Sequence, residues 1–211
     1  MTDNHTHSTG GDNLHGRRVV VTAAGSPLGR ATALEFAEEG ALVLVTDPDR
    51  DAVRQVVKTI EYGGGTALAI VGDLGDRQVA EQVVDTALEA LGGIDVLVHD
   101  AGGMDPLTLA ALPHLLADGG GSVVLATAEN HAVSRHRLAD LVEKLAAMYG
   151  DQGLRANAII TGPVTGPATG PATDDTTPED QAAAIVHLAS AAARDLNGTV
   201  LSTISYLRSI A

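Results

Sequence analysis

Seven short, β-branched apolar runs alternate with six helix-length amphipathic stretches, and this alternation limits the chain to few architectures. The runs cover residues 19–22, 41–46, 67–71, 94–99, 123–127, 156–161 and 200–204. Each is bounded by Gly, Asp or Pro and lacks a polar face, as strands buried on both sides do. The helical stretches cover residues 28–39, 51–61, 76–91, 107–116, 132–149 and 178–193. The last opens with Thr177 before Pro178, then Glu179 and Asp180, a strong helix start. Such an order predicts an α/β fold, a Rossmann-like doubly wound parallel sheet in a single domain.

Composition agrees and narrows the partners. The chain has 211 residues, 45% of them hydrophobic but only 2% aromatic, so Val, Leu, Ile and Ala must build the core. The net charge of −14 repels phosphate backbones and anionic lipid, which argues against nucleic acid and membrane surfaces as partners. No cysteine is present, which excludes thiolate catalysis and Cys-ligated metal. No tight ligand spacing supports a metal site. The N-terminus lacks a signal-peptide core, so a cytoplasmic location is the expectation. Residues 1–13, with His5 and His7, read as a disordered polar tail, and 14–211 as the domain. Within it, residues 162–173 hold three tandem Gly-Pro-x-Thr tetrapeptides, and 162–177 reads as an extended loop. It follows a strand's C-terminal end, where open α/β sheets place ligands.

Several motifs coincide with this order. His15-Gly16-Arg17-Arg18-Val19-Val20-Val21-Thr22 reads as a first strand and its approach, and Asp47 closes the second. Gly72-Asp73-Leu74, His99-Asp100-Ala101-Gly102, Arg155-Ala156-Asn157-Ala158-Ile159 and Gly162-Pro163-Val164 follow at the spacings of later turns and strands. Together they make residues 14–201 resemble the short-chain dehydrogenase/reductase family. The resemblance implies a dinucleotide site built from Gly25, Ser26, Leu28, Gly29, Asp47, Asp73, Ala101 and Gly102. Asp47 would bond the adenosine ribose hydroxyls and repel a 2′-phosphate, favouring NAD(H) over NADP(H). Asp73 would touch the adenine ring. The family's pairing of fourth and fifth helices implies a homo-oligomer. Leu107, Leu109, Leu112, Leu115 and Leu116 on the fourth helix are apolar enough to need burial.

The chain departs from the family at its chemistry. The glycine-rich turn is Thr22-Ala23-Ala24-Gly25-Ser26-Pro27-Leu28-Gly29, with only Gly29 in register and Gly25 displaced. Ala23 adds a methyl to a tight turn, and Pro27 removes a backbone donor. A lost donor to a charged ligand costs about 1.5–3 kcal/mol. Leu28 and Gly29 still open a helix whose N-terminus favours an anion. No Tyr-x-x-x-Lys occurs anywhere; His131 stands at the Tyr place and Arg135 at the Lys place. The place of the family's serine falls on Thr127 or Ala128, the fourth helix lacks the family's Asn, and the connection from the fifth strand to His131 is short. Ser202-Thr203-Ile204-Ser205-Tyr206 replaces the common Asp-Gly-Gly.

His131 and Arg135, four residues apart, share a helix face. The guanidinium disfavours the imidazolium and leaves His131 a candidate general base. With His99, Asp100 and Thr127 they make a candidate catalytic cluster at the crevice. Leu138, Leu141, Val142, Leu145 and Tyr149 continue that helix as an apolar stripe expected to pack on the sheet.

Three functions follow. Ranked first is cofactor-independent or non-redox acid–base catalysis on a small organic ligand, such as dehydration, isomerisation or cyclisation, with secondary metabolism as its setting by analogy. It pairs with an expectation of no cofactor, or of NAD(H) bound weakly. The alternatives are an NAD(H)-dependent oxidoreductase with His131 and Arg135 replacing Tyr and Lys, and a catalytically inactive binding or oligomer-forming subunit.

Overall fold

The apolar runs become seven strands in the computed structural model, which describes residues 14–99, 105–117, 119–128, 132–161 and 176–210. They are β1 (Arg18–Thr22), β2 (Leu42–Asp47), β3 (Thr66–Val71), β4 (Val96–His99), β5 (Ser122–Ala128), β6 (Arg155–Thr161) and β7 (Val200–Ser202). All neighbours pair in parallel, in the order β3-β2-β1-β4-β5-β6-β7. Strand order reverses between β1 and β4, and at that switch point the C-terminal strand ends leave a crevice.

Helices cover both faces. α1 (Pro27–Glu38), α2 (Arg50–Tyr62) and α6 (Pro178–Ala189) lie on one side. α3 (Arg77–Thr86), α4 (Pro106–Ala117) and α5 (Ala132–Tyr149) lie on the other. The two-residue period of a strand divides its side chains between these layers. Val19 and Val21 join Phe36, Val56 and Ile185, whereas Val20 joins Leu97, Leu107 and Leu138. Phe36, the one phenylalanine, is fully buried. On α5, Leu138, Leu141, Val142 and Leu145 are buried and Tyr149 is packed beside them, as the stripe predicts. On α4, Leu107, Leu112 and Leu115 are buried inside the domain, whereas Leu109 is exposed. It lies on the helix face turned away from the sheet.

The element ends differ from the sequence reading for local reasons. The 76–91 stretch is α3 followed by a π-helical turn, Ala87–Leu91, which ends at Gly92 with φ +84°. The 178–193 stretch breaks at Ser190, whose extended backbone separates α6 from a 3₁₀ turn, Ala191–Ala193. Arg155 fixes that break by donating to the carbonyls of Leu188, Ala189, Ser190 and Ala193. These are the acceptors a helix end leaves without intrahelical partners. Strand β7 stops at Ser202, so residues 203 and 204 do not extend it. They begin α7 (Thr203–Ile210), a helix the sequence reading lacks. Thr203 Oγ1 donates to the Ile160 carbonyl, and the Tyr206 hydroxyl meets His187 Nδ1 at 2.6 Å. The chain bends at Gly198, which has φ +73°, and Asn197 Oδ1 accepts from Ala156 N.

Candidate active site

A cavity of about 380 Å³ opens at the C-terminal ends of β1 to β4, beside the switch point. Its walls come from Thr22 and Ala23 at the end of β1, Thr46 to Pro48 at the end of β2, Gly72 to Gly75 after β3, His99 at the end of β4, and Asp105 and Pro106 at the start of α4.

The turn from β1 into α1 keeps the shape of a glycine turn without its first glycine. Ala23 has φ +51°, the sole positive φ at a non-glycine among the described residues. A Cβ on Gly29 would lie 2.2 Å from the Ala23 carbonyl oxygen, so only glycine lets α1 approach β1 here. Ser26 caps α1, its Oγ accepting from Gly29 N at 3.0 Å, and Pro27 takes the first helical position. The helix thus starts at Pro27, one residue before Leu28. Several turn amides already have protein partners. Ala24 N donates to the Thr46 carbonyl, Ser26 N to the Ala23 carbonyl, and Gly25 N to Asp47 Oδ2 at 3.0 Å.

Asp47 is therefore held in place. Its second oxygen accepts from Asp49 N at 2.8 Å, and its carboxylate stands in the cavity wall. Asp73 is fixed likewise by Gly75 N at 2.9 Å, and Gly72 N donates to the Asp47 carbonyl, tying the two turns together. Thr46 lines the same wall, and its buried hydroxyl has no protein partner among the described residues. No Lys or Arg occurs among the described lining residues.

His99 is buried, with both ring nitrogens engaged. Nδ1 lies 2.9 Å from Thr22 Oγ1, and Nε2 bonds Asp105 Oδ2. The other oxygen of Asp105 accepts from Thr108 N at 2.8 Å, capping α4. Burial pushes the Asp105 carboxyl up, but the hydrogen bond and charge of His99 and the Thr108 N–H outweigh it. The net result holds Asp105 below the usual carboxylate range. The sequence reading missed Asp105 and Thr22 as partners of His99. Asp105-Pro106 carries the same cap-then-proline signal as Thr177-Pro178, and that signal marks a helix start at Asp105.

Of the five residues expected to form a catalytic cluster, the side chains of His99 and Thr127 are described, and those of Asp100, His131 and Arg135 are not. Thr127 is buried on β5, its carbonyl accepting from Thr161 Oγ1, and it does not line the cavity that holds His99. Arg135 lies in the first turn of α5, with its side chain outside the described residues. His131, Asp100, Ala101, Gly102, the tail 1–13 and the repeats in 162–175 also lie outside them. The tyrosines are elsewhere: Tyr62 is exposed at the end of α2, Tyr149 ends α5, and Tyr206 is bonded to His187. Among the described residues, no helix is long and apolar enough to cross a membrane.

Comparison with known proteins gives a consistent result. The short chain dehydrogenase family model matches residues 17–114. An uncharacterized oxidoreductase of Thermotoga maritima is 30% identical over 184 residues, covering 71% of this chain and 72% of that protein. The 7alpha-hydroxysteroid dehydrogenase of Escherichia coli K12 is 30% identical over 188 residues, covering 72% and 74%. Among solved structures, a hydroxysteroid dehydrogenase from Escherichia coli superposes with a TM-score of 0.81 at 28% identity, over 90% of this chain and 96% of that one. A 7α-hydroxysteroid dehydrogenase solved with NADH and 7-oxo glycochenodeoxycholic acid gives 0.81 at 27% identity, over 90% and 94%. These relatives are oxidoreductases by name, and one holds NADH. They overturn the reading ranked first from the sequence, a cofactor-independent or non-redox acid–base reaction, and favour its oxidoreductase alternative.

Proposed function

The chain belongs to the short-chain dehydrogenase family, and we propose that it is an NAD(H)-dependent oxidoreductase interconverting a secondary alcohol and its ketone in a small organic molecule. The observation that carries this reading is Asp47. Its carboxylate is locked on the Gly25 amide at the end of β2, in the wall of a cavity whose described charged groups are acidic. A carboxylate fixed there suits the paired hydroxyls of an adenosine ribose and opposes a 2′-phosphate. The unpartnered Thr46 hydroxyl and the close approach that Gly29 permits fit a polar ligand laid against this turn.

In this assignment Gly25, Ser26, Leu28 and Gly29 would hold the pyrophosphate, with the α1 dipole favouring its charge. Asp73 would border the adenine, and the family resemblance assigns Ala101 and Gly102 to the same site. When bound, the nicotinamide supplies or accepts a hydride at the substrate's carbinol carbon. His131 takes the alcohol proton, or returns one to the carbonyl oxygen. Arg135, four residues on in the sequence, would disfavour the imidazolium of His131. Thr127, at the end of β5, orients the substrate oxygen.

The test is NADH oxidation with a panel of cyclic ketones that includes a 7-oxo bile acid. Turnover of at least one ketone is expected. His131→Ala should lower kcat by roughly 10²- to 10⁴-fold while leaving the Kd for NADH unchanged. Equal turnover by the variant would remove His131 from the mechanism. Bound NADH with no turnover of any ketone would favour the inactive binding subunit.

A further inference from the structure

We infer that His99 is a positioning residue whose proton state, relayed through Thr22 and Asp105, sets the affinity of the cavity for its dinucleotide. This rests on the oxidoreductase reading above. His99 joins three segments that build the site: the entry to the glycine turn at Thr22, the end of β4, and the cap of α4 at Asp105. An ionised carboxylate cannot donate, so His99 Nε2 must carry the proton it shares with Asp105. In the neutral ring Nδ1 is then an acceptor, and the Thr22 hydroxyl donates to it.

Protonating Nδ1 reverses that bond. The ring donates to Thr22 Oγ1, and the hydroxyl hydrogen has to turn elsewhere, one residue before the strained Ala23. The same step places one positive charge in a buried position. The other charged groups on the described elements around the cavity are Asp47 at the end of β2, Asp73 after β3 and Asp105 before α4. All three are acidic, whereas the ligand brings two phosphate charges. Imidazolium at His99 offsets part of that repulsion, so the dinucleotide binds the protonated form better. By linkage, affinity rises with acid as the imidazolium forms.

The experiment has two readouts. Long-range ¹⁵N–¹H spectra of histidine-labelled protein without ligand should show His99 as the Nε2–H tautomer near pH 8; an Nδ1–H tautomer would overturn the hydrogen-bond direction. Calorimetric titration with NADH should give a Kd that falls roughly three- to fivefold from about pH 8 to about pH 5.5. His99→Asn keeps a polar partner for Thr22 but cannot titrate, and should abolish that slope. Asp105→Asn removes the anion that favours imidazolium, and should shrink the change in Kd over the same pH range. A purely structural His99 would lower affinity at every pH without changing the slope. An unchanged slope in His99→Asn overturns this inference alone. Absence of NADH binding at every pH overturns the oxidoreductase reading as well.

Discussion

Ala23 does at one residue what glycine usually does, and the backbone bears the strain. An L-residue at φ +51° costs roughly 1–2 kcal/mol. Ala23→Gly should relieve this, less the extra entropy of an unfolded glycine, and raise stability by a few tenths to about 1 kcal/mol in urea unfolding. Asp47 is tested by Asp47→Asn, which removes the charge and leaves one oxygen to accept from either Gly25 N or Asp49 N. The ratio of NADPH to NADH affinity should rise about tenfold, and an unchanged ratio would deny Asp47 its role as the ribose reader. Asp47 was legible in the sequence because it closes a strand at a family spacing. Its bond to Gly25 was not, because the two lie 22 residues apart and only the fold brings them together. Asp105 stood outside every quoted motif, and its bond to His99 depends on how α4 docks against β4.

At the scale of elements, strands were the most readable, since a buried parallel strand is a contiguous apolar run. Helix ends were less so. Ser190 and the four carbonyls held by Arg155 belong to contacts distant in sequence, so the break after α6 left no local mark. The seventh strand was overextended for a related reason. Thr203-Ile204 is β-branched and reads as strand, yet the Thr203 bond to Ile160 and burial of Tyr206 turn the chain into α7. The start of α6 was legible and is a reciprocal capping box between Thr177 and Asp180. Thr177→Ala should cost about 1 kcal/mol, measured by thermal or urea unfolding. Glu35 on α1 is disfavoured as a carboxylate by burial and by Glu38 and Glu39, which raises its pKa. Glu35→Gln should therefore stabilise the protein at neutral pH by about 0.5 kcal/mol, with the gain shrinking as acid protonates the wild-type side chain.

For the whole molecule, acid should act through Asp95 as well as Asp105. Asp95 is buried, which pushes its pKa up. Arg18 outweighs this through a backbone N–H bond, two guanidinium bonds and its charge, with Arg17 adding to them, so the pKa lies below the usual value. A depressed folded-state pKa gives stability that is present above the unfolded value and lost as pH falls through the folded one. Unfolding free energy should thus drop below about pH 4, and Asp95→Asn should flatten that drop while costing about 2 kcal/mol at neutral pH. Fold class was readable at this scale because it depends on an alternation repeated along the chain. Function was misjudged because departures at a few positions, among them Ala23, Pro27, His131 and Arg135, were weighed more heavily than similarity spread over most of the domain. The central claim is that the cavity beside Asp47 binds NAD(H), and calorimetric titration of the purified protein with NADH and NADPH tests it most directly. Submillimolar binding of NADH, tighter than that of NADPH, is the expected result; no detectable binding of either would contradict the account.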